Sequence, residues 1–118
     1  MENRFEKLEV WKKAHQLVLL IYKVTQHFPR EEKYGLVDQM RRAGVSIVAN
    51  IVEGNIRQYK KEFLQFLYVS KGSLEELRYF TILSYDLKYI SLIEKEELTG
   101  IQTECGKLLN GFIKYLKS

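Results

Sequence analysis

The 118-residue sequence is poor in residues that make turns and cross-links. One proline and seven glycines are too few for the many turns of a β-sandwich or β-barrel. The single cysteine, Cys105, excludes an internal disulfide bond and a multi-cysteine metal site. The longest apolar run, 17–22, is far shorter than the roughly 20 residues that span a bilayer, and the charged segment 1–9 does not resemble a signal peptide. We therefore expect a single cytoplasmic domain with no membrane partner.

Helical periodicity dominates the sequence. Apolar residues make up 46% and charged residues 29% of the chain, as in an ordinary folded protein. Apolar spacings of three and four predict helices over 9–28, 31–54, 60–89 and 94–116. Because short connections join antiparallel neighbours, the sequence predicts an all-α, up-down-up-down four-helix bundle over 1–118.

The fourth helix has a predicted core seam of residues spaced at threes and fours. These residues are Leu98, Ile101, Cys105, Leu108, Phe112 and Leu116. We interpret the cysteine among them as a small core residue rather than a nucleophile.

Helices 1 and 3 carry more apolar residues than the single stripe that a bundle helix needs. The residues that extend these stripes are Leu19, Leu20, Tyr22, Phe66, Tyr68, Val69, Tyr79 and Phe80. A monomer would leave them in water as patches larger than soluble monomers usually show. We predict a homo-oligomer that uses these outer faces, and scattered surface aromatics, which are common in proteins, are the alternative.

A polar stripe follows one face of helix 2. Its members are Gln39, Arg42, Ser46, Asn50 and Glu53. Helices 2 and 3 fold back near Arg57, which should bring Arg42 close to Glu76. Gly72 and Ser73 leave room for the guanidinium, and the Glu76 carboxylate is a suitable bidentate partner. The stripe is either a structural network that fixes helix register or subunit pairing, or a ligand pocket; the lack of a titratable base or activated nucleophile on it favours the network.

The sequence has little of what catalysis or cofactor binding requires. His15 and His27 lie roughly three helical turns apart, so they cannot chelate one metal ion within a subunit. There is no Glu-x-x-His, His-Glu-x-x-His or Gly-x-Ser-x-Gly motif and no glycine-rich phosphate loop. We therefore expect no enzymatic activity, no cofactor and no metal ion.

The two ends of the predicted bundle differ in charge. The end formed by 1–13, 50–63 and 107–118 has ten basic and five acidic residues, a net charge of +5. The opposite end, 24–41 and 78–104, has six basic and eight acidic residues, a net charge of −2. The candidate phosphate contacts at the basic end are Lys12, Lys13, Arg57, Lys60, Lys61, Lys114 and Lys117.

Two of these lysines, Lys60 and Lys61, lie at the predicted start of helix 3, where the helix dipole disfavours cations. A nucleic-acid phosphate backbone is one candidate reason, so binding of a nucleic acid is the first functional class. A solvated lysine-rich end that only aids solubility is the alternative.

Two other functional classes remain open. One is an oligomeric scaffold that recruits a protein partner such as a polymerase. The other is an enzyme or small-molecule binder that would use part of the polar stripe and its neighbour on helix 3, namely Arg42, Asn50, Glu53 and Glu76.

Several motifs match a known family in order and spacing. They are Val10-Trp11-Lys12-Lys13-Ala14, Phe28-Pro29, Tyr34-Gly35-Leu36, Gln39-x-Arg41-Arg42-Ala43, Ser46-Ile47-x-x-Asn50-Ile51-x-Glu53-Gly54, Glu62-Phe63-x-x-Phe66-Leu67 and Gly72-Ser73-x-x-Glu76-Leu77. Over nearly its whole length the chain resembles the bacterial four-helix-bundle family of 23S rRNA intervening-sequence proteins, which are related to retroelement accessory variability proteins.

The resemblance implies an antiparallel four-helix bundle that assembles into a ring-like homopentamer. It also implies a link to RNA, because members are encoded within insertions in 23S rRNA genes and related retroelement proteins associate with a reverse transcriptase and nucleic acid. It implies no enzymatic activity. The chain departs from the family pattern before helix 3, where Ile56 replaces a glycine and Tyr59 replaces a small hydroxyl residue, and at Gly44, where alanine is commoner.

Overall fold

The computed structural model describes residues 4–118 as an antiparallel bundle of four helices. The helices are α1 (Glu9–Thr25), α2 (Leu36–Asn55), α3 (Lys60–Asp86) and α4 (Leu92–Lys117). Each helix packs against its neighbours in sequence, and α4 closes the bundle against α1. The described residues contain no strand, so the predicted all-α four-helix bundle is confirmed. Residues 1–3, which include Glu2 of the basic-end charge count, lie outside the described part of the chain.

One apolar core runs through the bundle and takes side chains from all four helices. Its largest fully buried apolar members are Leu17, Ile21, Met40, Ile47, Ile51, Leu67, Leu74, Leu77, Leu98 and Leu109. Two of the five polar residues that are buried within 4–118 bond each other in this core, where Gln102 Nε2 donates to Thr81 Oγ1 at 2.7 Å. The Thr81 hydroxyl in turn donates to the Leu77 carbonyl at 3.0 Å. This pairing avoids the penalty of unpartnered buried polar groups and joins α3 to α4.

The core seam of α4 differs from the predicted one. Ile101, Leu108 and Phe112, which were predicted to point inward, are only half-buried. The buried positions one residue further along are Gln102, Leu109 and Ile113. The prediction was wrong at these three positions, whereas Leu98 and Leu116 are buried as predicted. At the first of the three it took the apolar Ile101 in place of Gln102, whose burial the bond to Thr81 makes possible. Cys105 is buried as predicted.

The connection between α1 and α2 shortens both predicted helices. Helix α1 ends at Thr25 because the chain turns before Pro29, and Phe28 is nevertheless buried. Arg30–Glu32 form a separate 3₁₀ turn, and Glu32 Oε1 accepts the amide proton of Leu36 at 3.1 Å. The predicted helix over 31–54 therefore starts late, because the Glu32 side chain caps α2 from outside it.

Helix α3 ends at Asp86, before the predicted end at residue 89. Lys88 has a φ of 65°, the left-handed conformation that terminates many helices. Its amide donates to the Tyr85 carbonyl, and the Tyr89 amide donates to the Ser84 carbonyl, both at 2.9 Å. This pair of bonds is the Schellman pattern, here formed with lysine at the position that glycine usually occupies.

Helix α4 begins at Leu92, earlier than predicted, because Ser91 and Glu94 form a capping box. The Ser91 hydroxyl accepts the Glu94 amide proton at 3.1 Å, and the Glu94 carboxylate accepts the Ser91 amide proton at 2.8 Å. The Ser-x-x-Glu spacing is a recognised start signal that the sequence analysis did not use.

The two connections at this end of the bundle contact each other. The Tyr89 hydroxyl donates to Glu32 Oε2 at 2.9 Å, and the Phe28 and Tyr89 rings lie 5.3 Å apart between centroids. The hydrogen bond to the Glu32 carboxylate is the main cause that raises the pKa of the Tyr89 phenol above its usual value. The contact joins the α1–α2 connection to the α3–α4 connection.

Small residues bring α2 and α3 close together. The Ser70 hydroxyl donates to the Ile47 carbonyl at 2.8 Å, which a larger side chain would prevent. A Cβ atom added at Gly54 would lie 2.6 Å from a ring carbon of Phe63 and 3.0 Å from Phe66 Cβ. Gly54 is therefore required by the close approach of α3.

We expect Gly54→Ala to lower the free energy of unfolding by about 1–2 kcal/mol, because overpacking against α3 outweighs the better helix propensity of alanine. Gly100→Ala in α4 is the matched control, since a Cβ there meets nothing within 4 Å. That variant should be stabilised by up to about 1 kcal/mol. Urea unfolding of both variants provides the measurement, and equal stabilisation of the two would contradict the packing argument.

Candidate functional site

The start of α3 and the end of α4 meet at the predicted basic end of the bundle. Phe63 of α3 and Phe112 of α4 contact edge to face, with ring centroids 5.2 Å apart. Four of the predicted phosphate contacts lie near this contact, are exposed, and form no ion pair with any residue of 4–118. They are Lys60, Lys61, Lys114 and Lys117.

Two further predicted phosphate contacts are in ion pairs with residues nearby in sequence. Lys12 Nζ lies 3.1 Å from Glu9 Oε2, and Arg57 Nη2 lies 3.0 Å from Glu53 Oε1. Both pairs are exposed to solvent, so each contributes little to stability and leaves the cation accessible.

The last of the seven, Lys13, bridges two helices. Its Nζ lies 3.4 Å from Glu104 Oε2 of α4. The charge count had placed Glu104 at the opposite, acidic end, but this ion pair brings its carboxylate next to a basic-end lysine. The charge difference between the two ends is therefore smaller than the sequence count suggested.

Helix α3 begins without a side-chain cap. Its N-cap residue, Tyr59, has extended backbone angles (φ −110°, ψ 137°) and makes no capping hydrogen bond through its side chain. The departure of Tyr59 from the family's small hydroxyl residue thus removes the usual acceptor for the first-turn amides. The positive end of the helix dipole and the two exposed lysines, Lys60 and Lys61, lie together.

The predicted pairing of Arg42 with Glu76 is wrong. Arg42 Nε instead lies 2.9 Å from Asp38 Oδ2, and the Arg42 side chain is 78% exposed. Asp38 is one turn earlier on the same helix, so it reaches the guanidinium without crossing to α3. Gln39, Arg42 and Glu76 nevertheless line one groove of about 270 Å³ between α2 and α3.

The centre of the polar stripe joins α2 to α3 directly. The hydroxyls of Ser46 and Ser73 are 2.8 Å apart. Asn50 Nδ2 donates to the Ser46 carbonyl at 2.8 Å and to the Ser46 hydroxyl at 3.2 Å. Glu53 is not part of this cluster, because its carboxylate binds Arg57.

Most residues of the predicted oligomer interface lie at the surface of the single chain. The exposed members are Leu19, Tyr22, Tyr68, Val69 and Tyr79, and the half-buried members are Leu20 and Phe66. Phe80 is a correction, because it is only 8% exposed and belongs to the core of its own chain. It lines the groove between α2 and α3 beside Ala43, a residue small enough to leave room for its ring.

Helices α2 and α3 expose further apolar residues that were not among the predicted interface residues. Val45 is exposed and lines a groove of about 580 Å³ together with Tyr22 and Arg41. Ile82 is 50% exposed on α3. Both lie outside the core-facing stripes of their helices. The sequence signal for them is an apolar residue whose position in the 3.6-residue period falls outside the core-facing stripe.

The comparison with protein families agrees with the motifs in the sequence. A family model described as "23S rRNA-intervening sequence protein" matches residues 6–111. The chain belongs to this family. The matched range spans all of α1, α2 and α3 and most of α4.

A solved structure supports the assignment to the 23S rRNA-intervening sequence protein family. The chain is similar to a protein of unknown function from the S23 ribosomal protein family of Bacteroides thetaiotaomicron, with a TM-score of 0.81 and 25% sequence identity. The similarity covers 89% of this chain and 95% of that one. The comparison with curated proteins finds no match. Neither the family description nor the solved relative names an enzymatic activity.

Metal-binding clusters and membrane-spanning helices are both absent from the part of the chain that the structure describes. No group of three or more His, Cys, Asp or Glu side chains within 4–118 is placed to hold a metal ion. None of the helices in that range has a stretch long and apolar enough to cross a membrane.

Cys105 is the one thiol of this family member, and burial raises its pKa to about 11. Arg78 and Lys13 act in the opposite direction but less strongly. A thiol held protonated in this way is a poor nucleophile at neutral pH.

We expect the folded chain to lose stability relative to Cys105→Ala as the pH rises from about 9 to about 11. Over this range the unfolded chain ionises its thiol while the folded chain does not, so unfolding is favoured. Urea unfolding at pH 8 and pH 10 should change the difference between the two proteins by about 1 kcal/mol. The cavity left by alanine costs the same at both pH values, and parallel pH profiles would refute the raised pKa.

Proposed function

We propose that the chain is a non-enzymatic, cytoplasmic helical bundle that self-associates, as a pentamer, and binds structured RNA or another nucleic acid through its basic end. The observation that carries this proposal is the uncapped start of α3, where Lys60 and Lys61 lie exposed without an acidic partner among the described residues. Lys114 and Lys117 extend the same basic surface onto α4.

Two lysines in the first turn of α3 are electrostatically unfavourable for the helix. Cations in the first turn of a helix face the positive end of its dipole, which disfavours them by about 0.3–1 kcal/mol each. A bound phosphate reverses the sign of this interaction, because it can accept hydrogen bonds at a helix start that no side chain caps, and because it neutralises the lysines. The ligand that best fits this surface is therefore a polyanion that presents several phosphates.

Self-association would extend the basic surface. The exposed apolar residues lie on the outer faces of α1 and α3, and the basic surface lies at one end of the bundle. Copies joined through those faces with their bundles aligned would display their basic ends side by side. Phosphate contacts of this kind set affinity rather than sequence preference, so we expect recognition of nucleic-acid shape and charge.

We expect Lys60→Glu/Lys61→Glu to weaken binding of a structured RNA hairpin at least tenfold near 0.1 M salt, because two phosphate contacts become repulsive. The slope of log affinity against log salt concentration should fall by about 1.5. Fluorescence anisotropy with a labelled hairpin at several salt concentrations measures both quantities.

The matched control for that experiment is Lys23→Glu/Lys88→Glu. Both lysines are exposed, lie at the opposite end of the bundle and give the same change in net charge. An equal loss of affinity in both double variants would show a general charge effect, and binding that does not depend on salt would contradict the proposed phosphate contacts.

We expect Leu19→Asp/Tyr79→Asp to reduce the solution mass from five chains towards one, because a charged group cannot be buried unpaired at an apolar interface. Leu19 and Tyr79 are 58% and 56% exposed in the single chain, so the substitutions spare its core. Ile93→Asp, at an exposed position at the start of α4, is the control and should leave the mass unchanged. Sedimentation equilibrium decides, and a wild-type mass of one chain would exclude the assembly.

A further inference from the structure

A second group of cations lies at the opposite end of the bundle from Lys60 and Lys61. A cavity of about 330 Å³ is formed there by the end of α1, the 3₁₀ turn and the start of α2. Arg30, Lys33 and Arg41 all line it, and no carboxylate does. None of these three cations forms an ion pair with a residue of 4–118.

The guanidinium of Arg41 is held in place by α1. Its Nε donates to the Thr25 hydroxyl at 3.0 Å, and its Nη2 donates to the Tyr22 carbonyl at 3.4 Å. The guanidinium also stacks over the Tyr22 ring, with 4.4 Å from Cζ to the ring centroid. A half-buried, pre-oriented guanidinium loses little entropy when it binds an anion.

Arg30 and Lys33 are not needed to cap the C-terminus of α1. The backbone amides of the three residues that follow α1 donate to the carbonyls of Lys23, Val24 and Thr25 at 3.2–3.4 Å. These carbonyls, which carry the negative end of the helix dipole, therefore already have donors. Arg30 and Lys33 form no ion pair within 4–118, and the Lys33 ammonium contacts only the face of the Tyr34 ring, 5.3 Å from its centroid.

Two of the three carboxylates on the 3₁₀ turn and the start of α2 have partners elsewhere. Asp38 binds Arg42 at 2.9 Å, on the side of α2 that faces the groove with α3. Glu32 accepts hydrogen bonds from the Leu36 amide and the Tyr89 hydroxyl. The third, Glu31, is exposed, does not line the cavity and forms no ion pair with the cations that do.

We infer that this cavity binds a phosphate group, either inorganic phosphate or the phosphate of a small ester. A phosphate dianion offers several acceptor oxygens to the Arg41 N–H groups that Thr25 and Tyr22 leave free, and to the Arg30 and Lys33 side chains. Val37 and Phe28 supply an apolar wall that an organic group on the phosphate can contact. The site is separate from the proposed nucleic-acid surface, which lies at the other end of the bundle.

The test is isothermal titration of the full chain with inorganic phosphate and, separately, with adenosine 5′-monophosphate, at pH 8 and constant ionic strength. We expect saturable binding of one phosphate group per chain, weakened roughly tenfold by Arg30→Ala and by Lys33→Ala. Neither residue has a side-chain hydrogen bond within 4–118, so both variants should fold. Lys23→Ala is the control, because Lys23 is an exposed lysine of α1 that does not line the cavity.

Each result decides for or against the site. Tighter binding of the nucleotide identifies a phosphate ester, equal binding identifies phosphate itself, and both support the inference. Absence of saturable binding, or unchanged affinity in Arg30→Ala and Lys33→Ala, overturns it. Lys60→Glu/Lys61→Glu should keep full affinity for phosphate, and a loss there would place the bound anion at the basic end instead.

Discussion

The close contact between α2 and α3 is the constraint on which the rest of the bundle depends. Gly54, Ser70 and the Ser46–Ser73 pair let the two backbones approach, and the Ser70 hydroxyl bonds a carbonyl of the facing helix. Large apolar side chains of both helices, such as Ile47 and Leu67, are buried beside these small residues. Other apolar side chains of α3, such as Tyr68 and Tyr79, point away from this contact and are exposed in the single chain.

The number of helices, their order and their direction could be predicted from apolar spacing because each helix buries a stripe of period 3.6. The α4 seam could not be predicted in the same way, because the burial of Gln102 depends on a hydrogen-bond partner, Thr81, that only the folded chain brings near. Phe80 was misplaced for a related reason, because its burial depends on the small size of residues on the facing helix. Helix ends were missed where a side chain outside the helix, such as that of Glu32, caps it.

The distribution of charge was easier to predict than its pairing. Counting residues along the chain correctly marks the start of α3 and the end of α4 as basic, because antiparallel order alone brings them together. Ion pairing depends on which carboxylate a flexible side chain can contact. Arg42 pairs with Asp38, one turn away on the same helix, rather than with Glu76 across the groove. Family membership agrees with the fold and the motifs, while the binding roles proposed for the charged surfaces rest on cations that form no ion pair among the described residues.

The two ends of the bundle are closed to different degrees. At one end the α1–α2 and α3–α4 connections are joined through Tyr89, which contacts both Glu32 and Phe28. At the other end the α2–α3 connection makes local contacts, since Arg57 pairs with Glu53 and lies over the Phe66 ring, and α3 starts there without a side-chain cap. Local opening of the backbone should therefore begin at this second end, where amide hydrogens exchange with solvent most readily. That end also carries Lys60 and Lys61, so a bound polyanion would reversibly order the α2–α3 connection and slow its local unfolding.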